Sequence, residues 1–144
     1  MRGALTVLTM AVLVGCGAGG TVIEVTNVRI GQPTGPNAAL YLRATGGEED
    51  RLVGARTDVA EAVVLHETVV DADGTTSMRP VDAIALDAAG SLMLEPAGYH
   101  LMLTGVDRLQ VGDRVQVTLV WEQAGEMVVE AEVVAPGATM GHDG

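Results

Sequence analysis

Leu94-Glu95-Pro96-Ala97-Gly98-Tyr99-His100-Leu101-Met102-Leu103-Thr104 is the stretch that decides the fold. Its first half is turn chemistry: proline presets the backbone for a reversal, and glycine supplies the freedom that closes it. Its second half alternates. A side-chain period of two sends Leu101 and Leu103 to one face and His100 with Met102 to the other. Apolar residues on one face only are the mark of a strand in a half-buried sheet. With the leucines on the core, His100 and Met102 are expected to face outward, at the periphery of the domain.

The same pattern extends in both directions. Alternating apolar residues predict strands over 22–30, 38–44, 51–55, 62–70, 75–81, 91–94, 99–104, 114–121 and 127–134. Gly, Pro, Asn and Asp clusters separate them, among them Gln32-Pro33-Thr34-Gly35-Pro36, Asp71-Ala72-Asp73-Gly74 and Val111-Gly112-Asp113. No segment has the period of a long amphipathic helix. Short strands between regularly placed turns predict an all-β sandwich. The chain has 144 residues, 48% of them hydrophobic, with no Phe, one Trp and two Tyr. Its core must therefore be Val, Leu, Ile, Ala and Met. The turn at Ala72-Asp73-Gly74 suits a three-residue loop with Gly74 in the left-handed conformation. An odd loop of that kind puts His66 and Met78 on one face of their hairpin.

The N-terminus reads as an address. Arg2 precedes an apolar run over 4–14, long enough for a signal peptide and too short to span a bilayer. It ends in Leu13-Val14-Gly15-Cys16, which resembles the lipobox of bacterial lipoproteins, in which the Cys is lipidated. The expected division is a lipoprotein signal peptide over 1–15, a lipidated Cys16 with a Gly-rich tether over 16–21, a β-sandwich over 22–134 and a mobile tail over 135–144. Gly17-Ala18-Gly19-Gly20 reaches only about 10 to 12 Å on flexible-chain statistics, so the domain would sit close to its membrane.

Charge and composition exclude several functions. There are 19 acidic and 8 basic residues, a formal net charge of −11, and no Lys, so nucleic acid is not expected as a partner. The single Cys, the absence of Gly-x-Ser-x-Gly and the absence of a phosphate-cradling glycine loop argue against an enzyme. Glu48-Glu49-Asp50, beside Gly46-Gly47, is expected to be a solvated loop.

The distribution of His and Met is the remaining signal. His66 is followed by Met78, then His100, then Met102 two residues later. This order and spacing resembles the motif of the PCu(A)C periplasmic copper chaperone family. The resemblance continues through Asp50-Arg51-Leu52-Val53-Gly54-Ala55, Val64-Leu65-His66-Glu67, Met78-Arg79-Pro80-Val81, Leu94 to Leu103 and Val111-Gly112-Asp113-Arg114-Val115. It departs at Glu67, where some members carry Met. The family implies a cupredoxin-like, Ig-like Greek-key β-sandwich, with His66, Met78, His100 and Met102 as ligands to Cu(I).

Chemistry agrees with the donors. Cu(I) is soft and accepts thioether and imidazole, whereas carboxylates suit harder cations. Thioethers need no deprotonation and form no disulfides, so such a site survives in an oxidising compartment. What the resemblance implies is an exported, membrane-anchored lipoprotein facing the periplasm or cell exterior. It would work as a monomer, handing copper to a membrane protein: a cytochrome c oxidase subunit with its dinuclear copper centre, or another copper carrier. Two alternatives stay open at this point: a copper buffer for tolerance, and a metal-free Ig-like envelope or adhesion lipoprotein. A blue-copper role is disfavoured because it needs a Cys thiolate. Met140 and His142 in the tail are a candidate second copper pickup point, and Met93 and Met127 are expected to be filler.

Overall fold

The computed structural model describes residues 22–135; Cys16, the tether, Met140 and His142 lie outside the described residues. Ten strands and, among the described residues, no helix form the domain: β1 (Ile23–Gly31), β2 (Asn37–Gly46), β3 (Arg51–Arg56), β4 (Ala62–Val70), β5 (Thr76–Pro80), β6 (Ile84–Ala85), β7 (Ser91–Leu94), β8 (Tyr99–Thr104), β9 (Arg114–Trp121) and β10 (Gly125–Val134). Nine were expected from alternation. The extra one, β6, has two residues, too few to show a period, and exists through pairing with Arg51 and Leu52 of β3.

The strand order is β5-β4-β8-β7-β2-β1-β10-β9-β3-β6, with β8 also paired to β2. Along β2, Asn37–Leu40 meet β8 and Leu42–Thr45 meet β7, so the two short strands follow one another on one neighbour. Strand β1 joins the two halves. It runs antiparallel to β2 and, through Arg29, Ile30 and Gly31, parallel to Glu132, Val133 and Val134 of β10. Its register slips between Thr26 and Arg29, at Asn27 with φ 55°, a left-handed backbone that Asn tolerates better than most residues. A bulge there bends the strand, and the sheet folds over its own apolar face.

That face is the core. Leu40 and Leu42 of β2, Leu101 and Leu103 of β8, Val117, Leu119 and Trp121 of β9 and Val133 of β10 are all fully buried. Each follows the period of two, and each buried Leu or Val contributes about 1.5 to 3 kcal/mol over its exposed state. Trp121 is the only large aromatic in this core.

Polar groups fix the turns. The Asp71 carboxylate accepts from the N–H groups of Asp73 and Thr75, and Asp87 does the same for Ala89 and Ser91. Asp71 N–H donates to the Thr75 carbonyl, closing a three-residue loop of Ala72, Asp73 and Gly74, with Gly74 at φ +80° as expected for that loop. Asp50 corrects one expectation. It is buried, and its carboxylate accepts from the N–H groups of Arg51, Gln123 and Ala124, tying the β9–β10 turn to the start of β3. A run of three acidic residues gives no hint that the last has three donors waiting, because those donors lie more than seventy residues away in two cases.

Candidate metal centre

The outer face of β5, β4, β8 and β2 carries the residues of interest, and the strand registers place them. Leu65 lies opposite Leu101 on the core side, so His66 and His100, directly opposite one another, share the other side. Thr68 N–H donates to the Gly98 carbonyl, and alternation from that bond makes His66 and His100 a hydrogen-bonded pair, Cα atoms about 5.5 Å apart. Their rings stand 5.4 Å between centroids at 88°, edge to face.

Two thioethers flank the pair. Met102 is two residues beyond His100 and opposite Val64. Met78 is opposite Thr68, two residues from Pro80, which faces His66. His66 is thus the centre of the group: Met78 and Met102 are its diagonal neighbours, each at about 7 to 8 Å, on opposite sides along the strand direction. All four side chains share one sheet face. Met78 and His66 do so because the hairpin loop is odd. An unbranched methionine with three rotatable bonds can lean from either side toward a point above His66.

Exposure differs sharply among the four. Met78 is 55% exposed, His66 and Met102 are half-buried, and His100 is 1% exposed. The last value corrects the expectation of a peripheral His100. It faces away from the leucine core as expected, yet it is enclosed beneath its neighbours, Tyr41 and His66 among them. Nδ1 of His66 and both ring nitrogens of His100 are buried without a hydrogen-bond partner. Such orphans cost about 1 to 3 kcal/mol each and call for an explanation. Burial is the main cause that lowers the His100 pKa, and His66 lowers it further; the Gly98 backbone opposes weakly, without reaching hydrogen-bond geometry. His100 is therefore held as neutral imidazole, the form that binds metal.

Tyr41 belongs to this neighbourhood and was not singled out by the sequence. Its ring lies 6.4 Å from His100, and the Arg29 guanidinium stands 5.9 Å from the centroid of Tyr41 on its far side. Burial raises the Tyr41 pKa, chiefly, against a smaller lowering by Arg29, so the phenol stays protonated. The alternation of Leu40, Tyr41 and Leu42 was the available signal: it puts Tyr41 on the His face. Met93, expected as filler, is 44% exposed on this outer face, opposite Arg43. Among the described residues, no three His, Cys, Asp or Glu side chains cluster to hold an ion. The donors gathered here are imidazole and thioether, a set that fits a soft monovalent ion.

Known proteins agree with this architecture. A family described as "Putative lipoprotein LpqE-like" matches residues 23–133. A protein of Leifsonia xyli subsp. xyli (strain CTCB07), "Putative lipoprotein Lxx21020", is 33% identical over 79 residues, 54% of this chain and 48% of that one. The match thus spans about half the length of that relative. Among solved structures, the copper-bound PCuAC domain from PmoF2 superposes with a TM-score of 0.66 at 27% identity, covering 79% of this chain and 93% of that domain. The apo PCuAC domain from PmoF1 gives 0.67 at 25% identity, over 79% and 94%. The Cu(I) form of DR1885 from Deinococcus radiodurans gives 0.59 at 30% identity, over 81% and 78%. The cupredoxin-like β fold expected from the resemblance is the fold of this chain.

Proposed function

Because the chain belongs to the LpqE-like lipoprotein family, and because its fold is that of PCuAC domains, we propose that it is an extracytoplasmic, lipid-anchored Cu(I) chaperone. His66, Met78, His100 and Met102 hold the ion, and Cys16 carries the lipid. The acceptor is a membrane-side copper protein, by the resemblance the dinuclear copper centre of cytochrome c oxidase. The protein works as a monomer and catalyses no reaction.

One observation carries this reading. Two imidazoles face each other with three buried nitrogens lacking any protein partner, and thioethers stand diagonally on either side. A Cu(I) ion would take up one lone pair from each ring, removing part of the cost of burying these nitrogens, while the other nitrogen of neutral His100 keeps its proton. Neutral donors leave the ion its single positive charge, and a net charge of −11 draws cations toward the surface without supplying ligands. The graded exposure also suits delivery. Buried His100 would hold the ion, and exposed Met78 would be the first ligand a partner displaces.

The test is a competition titration against a chromophoric Cu(I) chelator under anaerobic conditions. His100→Ala or Met102→Ala is expected to weaken binding about tenfold or more, equivalent to about 1.4 kcal/mol. Affinity unchanged in both variants refutes the ligand assignment.

A further inference from the structure

Strand β5 ends the sheet order, and all five of its residues are exposed. Which of its backbone groups are free follows from the β4–β5 register. Val81 N–H donates to the Leu65 carbonyl, and at the other end of the hairpin Asp71 N–H donates to the Thr75 carbonyl. Antiparallel pairs alternate between bonded and non-bonded. Arg79 with Glu67 and Ser77 with Val69 are therefore the bonded pairs, while Thr76, Met78 and Pro80 turn their backbone groups away from β4. The outer edge presents the N–H and C=O of Thr76 and of Met78, but only the C=O of Pro80, since proline has no N–H. Pro80 thus limits any added strand to the Thr76–Met78 end.

We infer that the copper acceptor docks on this edge by adding one extended segment antiparallel to β5, with a thioether or imidazole side chain on the residue opposite Met78. The inference rests on the copper reading and specifies how the partner meets the same site. A residue opposite Met78 forms a bonded pair with it, Cα atoms about 5.5 Å apart, and shares its sheet face. That face carries His66, His100 and Met102. The incoming donor arrives beside the most exposed of the four side chains. Exchange is then ligand substitution: a bond forms from the partner's sulfur or nitrogen to Cu(I), the bond from the Met78 sulfur breaks, and the ion stays monovalent. No proton or electron moves. An extended segment fits because Thr76 and Met78 offer their paired N–H and C=O groups at a two-residue spacing, which a strand matches and a helix does not.

Thr76→Pro isolates the edge. It removes one outward N–H, leaves every bond to β4 and all four donors in place, and repeats the outward proline already present at Pro80. The probe is an end-capped peptide, Val-His-Val-Met-Val, with donors two residues apart, added anaerobically to the Cu(I)-loaded full chain. Hydrogen exchange of the Thr76 and Met78 amides should slow when the peptide is added, and Thr76→Pro should pass copper to the peptide about tenfold more slowly while its chelator-measured Cu(I) affinity is unchanged. If Thr76→Pro does not fold, the amide measurement on the unmodified chain decides alone. Copper bound normally but both amides unprotected, or transfer from a folded Thr76→Pro at the original rate, overturns the docking inference and leaves the copper reading standing. No Cu(I) binding by the unmodified chain overturns both. A dimer of the unmodified chain in sedimentation, abolished by Thr76→Pro, assigns the edge to a second copy and overturns the proposal.

Discussion

Replacing His100 by Leu should make the metal-free protein more stable and cut its copper-induced stabilisation by about 1.4 kcal/mol or more. His100 is 1% exposed and neither ring nitrogen has a hydrogen-bond partner. Each orphaned polar atom costs about 1 to 3 kcal/mol, and a leucine of different shape gives back about 1 kcal/mol in imperfect packing. For two orphaned nitrogens the net expectation is a gain of about 1 to 5 kcal/mol, or about 4 to 20 °C in Tm for a domain of this size. Thermal melts of the apo forms measure it at neutral pH. Added Cu(I) should raise the Tm of the original chain by mass action and raise that of His100→Leu by clearly less. The gap should also depend on pH. The His100 pKa is lowered in the folded state from an ordinary 6.5, so below that value the unfolded chain binds more protons than the folded one. The contribution of neutral His100 is complete above about pH 6.5 and is lost as pH falls through the depressed folded value. The leucine variant lacks this loss, so its advantage should widen below pH 6.5. An apo His100→Leu less stable than the original chain at neutral pH would refute the view that this imidazole is kept for a ligand.

Asp50→Ala should lower stability by about 3 kcal/mol or more in urea unfolding, because three backbone N–H groups lose a charged acceptor. Cu(I) affinity should not change, since none of the four proposed donors touches that turn. Gly74 and Gly90, two of the five left-handed glycines among the described residues, should respond differently to alanine. Gly74→Ala meets open space and bears only the left-handed backbone cost of about 1 to 2 kcal/mol. Gly90→Ala drives a Cβ into the Gly46 carbonyl oxygen, in a pair where Gly46 N–H also donates to the Gly90 carbonyl. Its urea midpoint should fall well below that of Gly74→Ala, and equal midpoints would show that this clash is relieved.

Local pattern made most of the sheet legible. Leu40 and Leu42, Leu101 and Leu103, and Val115 to Trp121 announce their strands because one face must leave water and the other need not. Strand ends were legible to within two residues, because turns are made by Gly, Pro and Asp for local reasons. Asp50, β6 and Tyr41 were not. Each owes its role to residues distant along the chain: Gln123 and Ala124 for Asp50, Arg51 and Leu52 for Ile84–Ala85, and His100 for Tyr41.

For the candidate site the division is similar. By itself the sequence determined which side chains could serve and which face of each strand they take, since alternation fixes His100 with Met102 and an odd loop joins His66 with Met78. Only the tertiary structure decided that β4 and β8 lie side by side with His66 opposite His100, and that His100 is enclosed rather than peripheral. The physical reason is that side-chain direction is a property of the local backbone, whereas burial depends on what the rest of the chain lays over a position, and cross-strand register is set by the packing of the whole sheet.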